Sequence, residues 1–282
     1  MPFRTLISTE LLASHLAEPE YVLVDCRFRL DDTSCGEEAY RAAHIPGAAY
    51  AHIDRDLSGV KNGRNGRHPL PDSRVLAGTF GRLGVTAGAQ VVAYDQDGGM
   101  FASRLWWLLR WMGHEAAAVL DGGFTKWTAE GRPTTGGVET RASVPFTGTP
   151  RRALIADARA VAAAANSGAP LLLDARAPER YRGEVEALDP VAGHIPGARN
   201  YFYEGNLGEH RTFRPTEELR ERLRGALREY EPDNVICYCG SGVTACHNLL
   251  ALEHVGLTGA KLYPGSWSEW CADERNPIET GG

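Results

Sequence analysis

The chain has 282 residues, of which 43% are hydrophobic and 23% charged, enough apolar content to pack two ordinary globular domains. Its 36 acidic and 30 basic residues leave a net charge of −6, which argues against an extended nucleic-acid surface. No apolar stretch is long enough to span a membrane. The opening Met1-Pro2-Phe3-Arg4-Thr5-Leu6 carries no signal-peptide core, so a cytoplasmic protein is expected.

Taken in chain order, the first half presents four landmarks. They are Val24-Asp25-Cys26-Arg27, His44-Ile45-Pro46-Gly47-Ala48, Val91-Val92-Ala93-Tyr94-Asp95 and Leu120-Asp121-Gly122-Gly123-Phe124-Thr125-Lys126-Trp127. Each recurs in the same order about 145 to 150 positions later, a period far too long for a solenoid. The counterparts are Leu173-Asp174-Ala175-Arg176, His194-Ile195-Pro196-Gly197-Ala198, Val235-Ile236-Cys237-Tyr238-Cys239 and Tyr263-Pro264-Gly265-Ser266-Trp267-Ser268-Glu269-Trp270. This is a duplicated domain. The join falls in the Gly-, Thr- and Pro-rich stretch Pro133 to Pro150, giving domains 1–135 and 153–282 with a linker at 136–152.

In the second half, Ala158–Ala165 reads as a helix capped by Asp157, and Leu171–Leu173 as a short buried strand. Thr216 is the expected cap of a helix with Leu219, Leu223 and Leu227 on one face. Val235–Tyr238 is the next strand, Ala245–Leu252 lies in the next helix, and Lys261-Leu262-Tyr263 is a further strand. Such alternation predicts an α/β fold in which each domain is a mainly parallel sheet flanked by helices. Catalytic groups in these folds sit at the carboxyl ends of strands.

Cys239 stands at such an end and opens the loop Gly240-Ser241-Gly242-Val243-Thr244. The glycines let successive backbone N–H groups turn inward toward the thiol, and a helix N-terminus follows. Both features favour the thiolate, which is the nucleophile. The first half has Asp95 at this position, followed by a rearranged loop Gln96-Asp97-Gly98-Gly99-Met100, and aspartate cannot do thiolate chemistry. Only the C-terminal half is therefore expected to be active, with the N-terminal half helping to build the cleft.

The six cysteines, Cys26, Cys35, Cys237, Cys239, Cys246 and Cys271, include no C-x-x-C pair. They form neither a disulfide framework nor a zinc pattern, and no metal or cofactor is expected. Cys237 reads as a core residue and Cys246 as packed within the following helix. Free thiols in this number suit a reducing compartment.

The duplicated His-Ile-Pro-Gly-Ala segments, the single cysteine loop and the Gly-Ser-Trp-Ser-Glu-Trp ending resemble the tandem-domain rhodanese family across essentially the whole chain. The loop from Cys239 to Thr244 is similar to the 3-mercaptopyruvate sulfurtransferase form, because the thiosulfate form typically carries arginine and lysine after the cysteine. The resemblance implies two tandem rhodanese-like domains. It also implies a Cys239 persulfide that takes sulfur from a small-molecule donor and passes it to cyanide, a small thiol or a thioredoxin-like protein. Backbone amides of Gly240, Gly242 and Val243, with the Thr244 hydroxyl, would hold the outer sulfur. A serine–histidine–aspartate relay maps to Ser241, His68 and Asp54, and the anion-gripping arginine to Arg180. Arg176, His44 and His194 have counterparts in both halves and read as scaffold, and His247 as packed.

One position departs from the pattern. Mercaptopyruvate members carry a second arginine nine residues beyond the first, and here that position is Asp189. An acidic segment there would repel an anionic donor unless it points away, and Arg182 is a substitute cation. Thiosulfate:cyanide transfer is thus the alternative activity. A cysteine phosphatase needs C-x5-R, and Ala245 occupies the arginine position. A non-catalytic sulfur-carrier or regulatory module would not need the intact cysteine loop.

Overall fold

A computed structural model describes Pro2–Gly282. The chain forms two compact units. The first runs to Ser58 and includes Pro71–Arg151 and Gly208–Phe213. The second comprises Gly59–Leu70, Arg152–Leu207 and Arg214–Gly282, so it takes one segment from the N-terminal half of the sequence.

The first unit contains β1 (Leu6–Ile7), α1 (Thr9–Ser14), β2 (Tyr21–Asp25), α2 (Cys35–Ala42), β3 (Ala49–Tyr50), α3 (Ser73–Arg82), β4 (Gln90–Tyr94), α4 (Ala102–Trp111), β5 (Ala117–Leu120) and α5 (Gly123–Ala129). Its strands pair in parallel in the order β1-β5-β4-β2-β3. Central β2 and β4 are buried at every residue and are apolar apart from Asp25 at the end of β2 and Gln90 at the start of β4. Val92, Leu120 and Trp127 belong to one core cluster of this unit, and each such side chain contributes about 1.5–3 kcal/mol on burial.

The second unit contains α6 (Ala158–Ser167), β6 (Leu171–Asp174), α7 (Pro178–Tyr181), β7 (Arg199–Asn200), α8 (Thr216–Leu227), β8 (Val235–Tyr238), α9 (Thr244–His254), β9 (Lys261–Leu262) and α10 (Ser266–Trp270). Its parallel sheet has the order β7-β6-β8-β9, and Ile155 adds a parallel bridge to Leu262. Asp157 caps α6 by accepting the Ala160 amide at 2.9 Å, and Gly168, at φ +76°, ends it.

Two local details also differ from the sequence reading. Thr216 is the first helical residue of α8, and the cap position falls to Pro215, which makes no side-chain cap bond. Proline's fixed φ suits a helix entry and leaves the threonine inside. Tyr263 lies beyond β9, in the turn that leads into α10. Central β8 leads straight into the cysteine loop, and Ala245–Leu252 of α9 is wholly buried behind that loop.

Candidate active site around Cys239

Cys239 is buried at the carboxyl end of β8, where its Sγ accepts the Gly242 amide at 3.1 Å and the Ser241 amide at 3.5 Å. The loop curls because Gly242 adopts φ +78°, and a Cβ there would lie 2.4 Å from the Pro264 carbonyl oxygen. The start of α10 pins the other side of the loop. Ser266 Oγ accepts the Cys239 amide at 3.1 Å, and the carbonyls of Cys239 and Gly240 accept the Trp267 and Ser268 amides, each at 2.9 Å. Val243 is buried at the N-cap position of α9, and Thr244 opens that helix. Two backbone N–H groups thus point at one sulfur.

His68 and Ser241 meet in the second unit, with His68 Nδ1 2.7 Å from Ser241 Oγ and both side chains buried. The segment that carries His68 is held by the Arg67 amide donating to Ser268 Oγ at 3.0 Å and the Gly59 amide donating to the Pro69 carbonyl at 2.8 Å. Gly66 allows this approach, since a Cβ there would lie 2.7 Å from the Gly265 carbonyl oxygen. Asp54 belongs to the first unit, where its amide donates to His52 Nδ1 at 3.1 Å.

Cations gather at Gly240. A Cβ on that residue would lie 2.8 Å from Arg67 Nη2 and 3.5 Å from Arg180 Nη1. Arg180 Nη2 donates to both oxygens of Glu186, at 2.7 and 2.8 Å, and lies 3.4 Å from Asp189 Oδ2. The other Asp189 oxygen accepts from Arg67 Nη1. Burial raises the Glu186 carboxyl, but the Arg180 bond and the Leu188 and Asp189 amides outweigh it and leave the group below its usual range. Asp189 therefore neither faces the loop as a lone anion nor turns away. It is buried between two guanidinium groups.

Arg182 pairs with Glu184, at 2.7 Å for Nε and 2.9 Å for Nη2. Arg67 was missed in the sequence, and its only local signal is its place directly before His68. Arg176 forks onto Asp174 and donates to the Gly193 carbonyl, as Arg27 does with Asp25 and the Ala43 carbonyl. His44 and His194 are buried, each with Nδ1 2.7 Å from a tyrosine carbonyl, Tyr40 and Tyr181 respectively. His247 is buried with Nδ1 3.1 Å from Asn206 Nδ2. Among the described residues, no group of three or more His, Cys, Asp or Glu side chains is placed to hold a metal ion.

The equivalent loop of the first unit is built around a carboxylate. Asp95 accepts the amides of Gly99 at 3.1 Å, Phe101 at 2.7 Å and Ala102 at 3.0 Å. Burial pushes its carboxyl up to about 7, against the pull of those amides.

The rhodanese-like domain family matches this chain twice, over residues 8–130 and 157–273. The chain is 46% identical over 278 residues, covering 98% of both sequences, to a Pseudomonas aeruginosa protein named "Probable 3-mercaptopyruvate sulfurtransferase". It is 32% identical to a thiosulfate sulfurtransferase of Rattus norvegicus, with 99% of this chain and 95% of the rat protein covered. The solved structure of 3-mercaptopyruvate sulfurtransferase from Leishmania major superposes with a TM-score of 0.85 at 31% identity, covering 98% of this chain and 76% of that one. With its fold, its duplicated family match and its whole-length relatives in agreement, the chain belongs to the rhodanese family of sulfurtransferases, as a tandem of two rhodanese-like domains.

Proposed function

We propose that the chain transfers sulfur from 3-mercaptopyruvate, through a persulfide on Cys239, to a thiophilic acceptor. The Cys239 thiolate attacks the donor sulfur, an S–S bond forms and the donor's C–S bond breaks. The electron pair leaves on C3 as the pyruvate enolate, which needs a proton. The donor thiol loses one proton in the same half-reaction, so the net change is a proton moved from sulfur to carbon. Ser241 and His68, in contact at 2.7 Å, are suited to that transfer, with Asp54 as the proposed third member. The amides of Ser241 and Gly242 stabilise the negative sulfur, with Gly240, Val243 and Thr244 completing the rim. Arg180 receives the donor's carboxylate.

In the second half-reaction cyanide or a thiolate attacks the outer sulfur, and the S–S electron pair returns to Cys239. A small thiol or a thioredoxin-like protein is the proposed physiological acceptor. A cytoplasmic setting suits six free thiols, and no helix among the described residues is long and apolar enough to cross a membrane.

The observation that carries the choice of donor is the His68–Ser241 contact beside the sulfur, because a protonated thiol donor needs proton handling and thiosulfate does not. The test is a side-by-side comparison of kcat/KM for the two donors with cyanide as acceptor. A preference for 3-mercaptopyruvate is expected, and a strong preference for thiosulfate overturns the donor assignment.

A further inference from the structure

Arg67 and Arg180 reach the Cys239 loop from opposite parts of the sequence, and Asp189 ties them together. Each guanidinium is anchored by one nitrogen and presents another. Arg67 gives Nη1 to Asp189 and brings Nη2 to Gly240. Arg180 gives Nη2 to Glu186 and Asp189 and brings Nη1 to Gly240. The Nε of Arg180 is buried with no hydrogen-bond partner, a costly state for a charged donor. Glycine at position 240 is what lets the guanidinium groups come this close.

The charges balance. Arg67 and Arg180 are matched by Glu186 and Asp189, while Arg176 is matched by Asp174. A neutral cradle of forked donors suits a singly charged carboxylate, which accepts hydrogen bonds from the fork without requiring surplus positive charge. A dianion finds no surplus to offset its desolvation.

We propose that Arg67 is the second guanidinium receiving the donor's anion, and that Asp189 is a positioning residue that aims Arg67 and keeps the cradle selective for monoanionic thiol donors. This rests on the sulfur-transfer reading of the same site and adds to it the source of the second cation and of charge selectivity.

The experiment measures kcat and KM for 3-mercaptopyruvate and for thiosulfate in the wild type and in Arg67→Ala, Arg67→Lys and Asp189→Asn. Arg67→Ala keeps the backbone bond to Ser268, so His68 stays in place. It raises the KM for 3-mercaptopyruvate about tenfold or more while kcat changes far less, and Arg67→Lys recovers only part of the loss. Asp189→Asn removes one negative charge and raises the thiosulfate to 3-mercaptopyruvate ratio of kcat/KM about tenfold. An unchanged donor KM in Arg67→Ala, or an unchanged donor ratio in Asp189→Asn, overturns the proposal. Failure of the donor assignment looks different: the wild type itself prefers thiosulfate, and the KM response of Arg67→Ala to thiosulfate then still decides whether Arg67 holds the donor's anion.

Discussion

The loops after β4 and β8 use one device for two ends. In both, a strand delivers a buried side chain into a curl of backbone amides. In the first unit that side chain is Asp95, whose own carboxylate takes the amides of Gly99, Phe101 and Ala102. In the second it is Cys239, whose sulfur takes those of Ser241 and Gly242. The scaffold around each loop is the same. Asp25 and Arg27 form the fork that Asp174 and Arg176 repeat. The Tyr94 hydroxyl accepts the Ile45 amide as Tyr238 accepts that of Ile195. Trp127 donates to the Pro133 carbonyl as Trp270 does to that of Pro277. The two units share this buried polar framework, and the single residue at the strand end decides whether the amides meet a carboxyl group or a thiol sulfur.

The largest break of this comparison comes at the sulfur. Cys239→Ser keeps the loop but lowers sulfur transfer by about a thousandfold or more, read as thiocyanate formed from cyanide. The scaffold comes next. Arg176→Met leaves the Asp174 carboxylate buried without its partner and costs about 3–5 kcal/mol in denaturant unfolding, and Arg27→Met does the same for Asp25. Gly242→Ala follows, because its Cβ meets the Pro264 carbonyl at 2.4 Å in a left-handed conformation. It lowers stability by about 1–3 kcal/mol and displaces an amide from the sulfur, so activity falls with it.

The last break is read through pH and belongs to Asp95. Its carboxyl is raised to about 7 in the fold, so the native state keeps a proton that the unfolded chain releases at lower pH. Stability from this group is present at low pH and is lost as pH rises from about 4 to about 7. Asp95→Asn removes that slope, and denaturant midpoints at pH 5 and pH 7.5 reveal it as a smaller decline in the variant.

Much of this was legible because it is local. The run Val235–Tyr238 became β8 without change, Asp157 capped α6, and the glycines around Ser241 announced the curl. The duplication showed itself in short motifs that carry the buried polar pairs. Arg67 was hidden because its role depends on where an irregular segment of the first half folds, and no periodicity encodes that. Asp189 was visible as a departure, but its meaning changed once Arg67 and Arg180 were found on either side of it.

The most direct measurement is to incubate the protein with 3-mercaptopyruvate and no acceptor, then map added sulfur by peptide mass spectrometry. One extra sulfur is expected on the peptide carrying Cys239, discharged by cyanide and absent in Cys239→Ser. Turnover that proceeds with no sulfur on Cys239, or with the added sulfur on another cysteine, would contradict it.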